Sequence, residues 1–516
     1  MRSAAGIPSA ESDLEKSWPR SPRRTAPGVT FAVLTLGVAA FTLLQSLVIP
    51  VMTTIQHDLG TTQNGVTWVL TAYLLSASVA TPILGRIGDL AGKERVFVAT
   101  LIALAVGSLL SALAPNLAVM IVARVIQGLG GGVLPLAFGI IRDEYPAHRV
   151  TGAVGSLASL SAVGGGLGLV LAGPIVDVLS YRWLFWIPMI MTAIAAVAAW
   201  RLVPASPVRS AGRISWPPAL LLSAWLVCLL LALSQGSSWG WISLPVLGLI
   251  AAAAALAALW VLAETRATTP LIDMRMMRRR PVWTANLVAL LLGVAMYAVF
   301  GFLPQLLQTP EAAGYGFGAG ITLSGLMMAP QCIVQLPTGI LSGNLSARFG
   351  GKWFTVTGCA VTMLSMLMFA FAHDTVLQIL IGCAVFGFGM GLVFSAMSGL
   401  IVQGVPQEQT GVASGMNANI RTIGGAIGSA VMASVVTSHA GPAGFPAESG
   451  YTLGFTLLTG ALVLATLAGL LIPDLRPKAR AVTTATTTST TDSKTPVATP
   501  ELALVPGGTL VGDEPE

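Results

Sequence analysis

Fourteen stretches of apolar residues, each long enough to cross a bilayer and each bounded by a polar break, leave this chain few ways to fold. A helix needs about 20 apolar residues to traverse the hydrocarbon core. Inside that core every backbone donor and acceptor must be satisfied within the helix itself. The runs fall at 29–53, 66–86, 95–114, 117–141, 151–176, 183–203, 216–236, 244–264, 283–306, 319–343, 353–372, 376–402, 411–437 and 453–473. Charged residues make up only 9% of the 516 positions, against roughly 25% in soluble domains. The expected fold class is therefore an all-α polytopic membrane protein with 14 transmembrane helices.

The basic residues test that count independently. With the N-terminus inside and the sides alternating, every one of the 27 lysines and arginines except Arg124, Arg182 and Arg421 falls in an inside segment. This is the positive-inside bias of a multi-pass protein, and one miscounted helix would invert every later loop. Both termini are expected in the cytoplasm, with the chain in the cell membrane. The net charge of +6 is spread over these loops, so nucleic acid is not an expected partner. The first run follows Arg20, Arg23 and Arg24 and is longer than the roughly 7–15 residues of a signal-peptide core, so it reads as an uncleaved span. After Pro477 come nine threonines between Thr483 and Thr499, with several prolines. Residues 1–28 and 476–516 are expected to be a disordered leader and tail.

Cys228, Cys332, Cys359 and Cys383 lie inside apolar runs and lack metal or disulfide spacing. The four histidines are equally scattered, so neither a metal nor a cofactor is expected.

An internal repeat orders the spans. The loop after the second run reads Gly85-Arg86-Ile87-Gly88-Asp89-Leu90-Ala91-Gly92-Lys93-Glu94-Arg95. The loop after the tenth reads Gly343-Asn344-Leu345-Ser346-Ala347-Arg348-Phe349-Gly350-Gly351-Lys352. Each has a glycine, a hydrophobic residue two on, a second glycine seven on, and then basic residues. The copies lie eight helices apart. Two six-helix bundles, at 29–203 and 283–475, with an extra central pair within 204–282, account for that spacing.

The segment Gly85–Arg95 resembles the signature loop of the major facilitator superfamily. Arg124-Val125-Ile126-Gln127-Gly128-Leu129-Gly130 is similar to the fourth-helix motif of its drug:proton antiporters. The fourteen spans, and Asn417 with Arg421, Gly424 and Gly425, resemble the longer of its drug:proton antiporter families. The resemblance covers residues 29–475. It implies two bundles rocking about a midplane site and export of drugs or other amphipathic compounds against inward proton flow. The partners so implied are a small organic molecule, protons and the bilayer, and the chain is read as a monomer.

The resemblance assigns Arg124 to proton transfer or coupling. Independently, an arginine in a span costs at least about 2.5–3.5 kcal/mol and usually faces a cavity or partner. Arg421 is expected near the cytoplasmic start of its span, where snorkelling explains it almost as well. Around Asp89, the group Gly85, Gly92, Lys93 and Arg95 is implied to latch the inner mouth, with Arg142 and Arg149 as candidate partners and Arg348 in the second copy. That copy has Ala347 where the acid would stand, so the latch should be one-sided. Gly128, Gly164, Gly168, Gly173 and Pro174 are expected to allow close helix packing. Here the antiporter motif is imperfect, since Leu169 occupies its proline position and Ala172 one glycine. No carboxylate lies deep in a span, which leaves Asp177, at the outer end of the fifth, as the protonation candidate, with Arg182 beside it. Gln45, Tyr73, Asn286, Tyr297, Gln305, Gln331, Gln335 and Asn417 are candidate cavity residues, and each amide is equally an interhelical hydrogen bond. An uptake symporter on the same fold stays open. A membrane enzyme or sensor would need an intramembrane His, Cys or paired-acid group that this sequence lacks.

Overall fold

The computed structural model describes residues 26–206, 215–267, 270–438 and 445–473. The leader arginines and the threonine-rich tail lie outside the described residues.

Among the described residues, fourteen long helices follow in the expected order. The first seven are α1 Pro27–Leu47, α2 Gln63–Ala91, α3 Lys93–Ala112, α4 Leu117–Glu144, α5 Ala147–Val178, α6 Trp183–Leu202 and α7 Trp216–Trp239. The rest are α8 Leu244–Arg266, α9 Arg280–Gln308, α10 Ile321–Phe349, α11 Gly351–Phe371, α12 Val376–Gly404, α13 Thr410–Ser438 and α14 Glu448–Leu470. Thirteen of them, among the described residues, are long and apolar enough to span a bilayer. The exception is α10. Its 29 residues match its neighbours in length, but Pro330, Gln331, Gln335, Pro337 and Asn344 dilute its apolar character. Packed on α5 and α12, it needs less lipid-facing surface than an outer helix.

Two of the connections are very short, and polar caps end them. Asn116 accepts a hydrogen bond from Val119 N (3.0 Å) to start α4. Thr375 and Gln378 form a capping box at the start of α12. The repeated loops are tighter still: one glycine separates α2 from α3 and α10 from α11. Gly92 (φ 111°) and Gly350 (φ 89°) occupy backbone conformations that side chains with a Cβ rarely adopt. These are the second glycines of the two sequence copies.

The repeat extends to packing. Within the first six helices α1 packs on α5 and α6, α2 on α4, and α3 on α4 and α6. Within the last six α9 packs on α13 and α14, α10 on α12, and α11 on α12 and α14. Each pairing recurs eight helices later. The bundles meet along α2 with α13 and along α5 with α10, again symmetry mates. A Cβ on Gly85 would lie 2.7 Å from the Gly411 carbonyl oxygen across the first seam, and one on Gly343 would lie 3.3 Å from Gly155 Cα across the second. The repeat glycines thus serve both the turn and the seam.

The extra pair, α7 and α8, packs on itself and leans through α7 on both α2 and α13. Thr71 and Ser234 are hydrogen-bonded (2.8 Å), and Trp241, just beyond α7, donates to Ser434 (2.8 Å). The pair therefore touches both bundles beside one seam.

Candidate functional site

Between the bundles lies a cavity of about 80 Å³. Gln45 and Ser46 of α1 and Ser161 and Gly165 of α5 line it from one side. Tyr297, Gln335, Phe394 and Arg421, from α9, α10, α12 and α13, line it from the other. Gln45 Nε2 donates to the Tyr297 hydroxyl (3.3 Å), so one hydrogen bond crosses the space between bundles. Two neighbouring cavities share its walls. One includes Tyr73, Ser78 and Asn419 with Gln45, Tyr297 and Arg421. The other includes Ser398, Ser414 and Asn417 with Phe394 and Arg421.

Arg421 faces all three cavities. Its guanidinium carbon lies 4.8 Å from the centroid of the Phe394 ring. Helix α13 begins at Thr410, so Arg421 is about 16 Å along it at 1.5 Å per residue. That position, with the side chain on three cavity walls, favours a place in the cavity over the snorkelling alternative.

Arg124 is fully buried inside the first bundle. It donates to Val69 O (3.1 Å) and, by Nη1, to Gln127 Oε1 (2.9 Å). Its guanidinium carbon lies 5.1 Å from the Tyr73 ring centroid and 5.6 Å from that of Phe185. Since Tyr73 lines a cavity, Arg124 stands one aromatic ring behind its wall.

At the Asp89 end the bundles are clasped. Asp89 Oδ2 accepts from Val412 N of the second bundle (3.3 Å). Arg142 donates to Val405 O (2.8 Å), Pro406 O (3.2 Å) and Thr410 Oγ1 (2.6 Å) in the α12–α13 turn. Gln407 donates to Asp143 Oδ1 (3.2 Å), and Gln403 to Thr151 Oγ1 (2.6 Å). Lys93, itself buried, joins Asp143 (2.9 Å) and Asp89 (3.9 Å). The sequence reading offered Arg142 and Arg149 as partners of Asp89. The closest cation is instead Lys93, four residues on along the chain, while Arg142 grips backbone carbonyls and Arg149 is exposed. Arg95 and Arg348 are exposed too.

A family profile now decides the class: that of the Major Facilitator Superfamily matches residues 34–429. The chain belongs to this family. It is a multi-pass membrane transporter and not an enzyme. It is 30% identical over 70% of its length to the "Multidrug transporter protein MdtP" of Bacillus subtilis, spanning 66% of that protein. It is 27% identical to "Multidrug resistance protein 3" of the same organism, over 76% of each chain. It is 28% identical to the "Tetracenomycin C resistance and export protein" of Streptomyces glaucescens, over 79% of this chain and 76% of that one. The crystal structure of the human organic anion transporter MFSD10 superposes with a TM-score of 0.63 at 16% identity, covering 87% of this chain and 100% of that one. At that identity the likeness speaks for the fold alone.

Against this Major Facilitator frame, the remaining sequence candidates separate. Gln45, Tyr73, Tyr297, Gln335 and Asn417 reach cavity walls. Asn286 is tied to Asn417, whose Nδ2 donates to its Oδ1 (2.9 Å). Gln331 is buried beside the α5 and α12 contacts, under Gly387. Gln305 is exposed on the far part of α9, because one face of that helix looks outward. Asp177 is exposed at the opposite end of the seam from Asp89, where Thr322 Oγ1 donates to it (2.5 Å). Arg182 lies over the Tyr181 ring instead of pairing with it. The packing glycines divide: Gly164 and Gly168 approach α1 within the first bundle, Gly128 approaches α2, and Gly173, beside Pro174, meets Thr322 across the seam. The reading missed Phe394 and the cavity methionines, since an apolar residue in an apolar span carries no mark of the way it faces, and it passed over the amide of Asn419. It also gave no place to Asp143, which pairs with Lys93 (2.9 Å).

Proposed function

We propose that this Major Facilitator protein exports drugs or other amphipathic organic compounds across the plasma membrane, by alternating access coupled to inward proton flow. The observation that carries the reading is the cavity walled by both bundles and clasped at one end. A mostly apolar space with a few amides and hydroxyls suits bulky organic molecules. The names of the Bacillus and Streptomyces relatives support export over uptake.

In this reading the moving units are the bundles at 29–203 and 283–475, with 204–282 riding beside them and both termini in the cytoplasm. The contacts of Asp89, Lys93 and Arg142 hold the cytoplasmic mouth closed and release when it opens. Arg124 acts on the cavity through Tyr73 and sets coupling. The working unit is a monomer.

The test is expression in an efflux-deficient bacterial host with a panel of amphipathic compounds, comparing the wild type with Arg124→Ala at matched expression. Resistance that disappears with an uncoupler and with the substitution supports proton-driven export. Resistance that survives both would sink the coupling, and accumulation of the compounds in place of resistance would reverse the direction.

A further inference from the structure

The three contiguous cavities have one charged residue on their walls, Arg421. No described carboxylate lines any of them, and none of the ion pairs found among the described residues involves Arg421. The acids stand elsewhere: Asp89 and Asp143 in the clasp, Asp177 at the exposed end of α5, Glu264 at the end of α8. Arg124, the other deep cation, adds a second positive charge behind Tyr73.

An uncompensated guanidinium at this depth is costly to maintain. Its guanidinium rests on Phe394, which offsets part of that cost and leaves its N–H groups to be matched. A planar oxyanion is the ligand that a guanidinium matches best, through paired charge-assisted hydrogen bonds. The surrounding wall is apolar and aromatic, with Met296, Phe300, Met390 and Phe394, and it suits a ring system. A cationic ligand would meet two positive charges and no described acid.

We propose that the transported molecule is an amphipathic organic anion, its carboxylate or equivalent planar oxyanion held by Arg421 and its rings lying against Phe394 and Phe300. This rests on the cavity being the transport site.

The experiment uses purified full-length protein and three probes of one skeleton: anthracene-2-carboxylate, its uncharged carboxamide, and 2-(aminomethyl)anthracene. Affinities are read from equilibrium dialysis and from ligand-induced shifts in the tryptophan-fluorescence melting temperature. The carboxylate is expected to bind at least about tenfold tighter than the carboxamide, as a charge-assisted hydrogen bond implies. Arg421→Gln should bring the two within about twofold, whereas Arg421→Lys should keep part of the preference. The ligand-free melting temperature of each variant checks its fold, and the wild-type comparison is decisive even if Arg421→Gln does not fold. Equal binding of carboxylate and carboxamide, tightest binding of the amine, no binding of the carboxylate, or a preference that survives in folded Arg421→Gln would each overturn the proposal. Because binding requires no transport, flux in inside-out vesicles separates the two readings. Charge-selective binding without efflux defeats export alone, and efflux of the amine with no preference for the carboxylate defeats the anion alone.

Discussion

The guanidinium of Arg421 stacks over the ring of Phe394, its carbon 4.8 Å from the centroid, and so joins α13 to α12 at the cavity wall. A cation–π contact of this kind contributes about 0.5–2 kcal/mol. Phe394→Leu should therefore weaken probe binding several-fold, while Phe394→Trp preserves it. Equilibrium dialysis of both variants checks this, and equal losses would show that the ring acts through its volume alone.

Arg142 spreads three hydrogen bonds over the α12–α13 turn, which lysine cannot reproduce from a single ammonium. Arg142→Lys and Arg142→Ala should both favour opening at the Asp89 end. Each bond to a charged group is worth about 1.5–3 kcal/mol, so the population should shift by at least tenfold. Alkylation of a cysteine placed at Thr151, which also bonds across the seam, reports the opening. Unchanged reactivity would remove Arg142 from the clasp.

Lys93 and Asp143 are both buried, and their atoms lie 2.9 Å apart. Replacing one partner strands the other charge, at a cost of about 3–5 kcal/mol. Lys93→Met or Asp143→Leu alone should lower the melting temperature sharply, and the double replacement should recover much of the loss. Arg95→Ala, at a side chain 71% exposed, should stay within about 0.5 kcal/mol of the wild type.

Asn286 and Asn417 satisfy each other between α9 and α13. A double-mutant cycle with leucine at both sites should return a coupling of about 0.6–2 kcal/mol. A coupling near zero would mean that each amide finds another partner when its mate is gone.

Gly92 and Gly350 hold equivalent positive-φ turns. Alanine at either should cost about 1–3 kcal/mol of backbone strain, and the two penalties should be alike. Thermal unfolding of the two variants tests that equivalence. A tolerated Gly92→Ala would show that the turn can relax.

Much of this architecture was legible in the chain. Apolar run length and loop charge are local quantities, and the helix ends follow them closely, even at the short turns capped by Asn116 and Thr375. The repeat was legible because Gly92 and Gly350 answer a backbone demand that other residues meet poorly. The cavity was legible only where a polar residue betrayed it, as at Gln45 and Tyr297. Gln305 carried the same signal and faces outward, since residue type does not state helix rotation. The sequence does not decide between snorkelling and cavity for Arg421, because its span opens with Thr410, Gly411, Ser414 and Asn417, a stretch polar enough to resemble a loop boundary. The pairing of Lys93 with Asp143 joins α3 to α4 across 50 residues, and no local pattern announces it.

The confinement of described acids to the ends of the spans also bears on the energy source. An anion leaving a cell whose interior is electrically negative moves downhill, gaining about 2.3 kcal/mol per elementary charge for each 100 mV. A carrier whose cavity holds Arg421 and no described carboxylate is thus suited to electrogenic export, in which voltage adds its work to that of the inward proton flow. Vesicles clamped with valinomycin and a potassium gradient, at equal pH on both sides, would read that voltage term directly. If flux ignores the imposed voltage, the charge on Arg421 serves recognition alone.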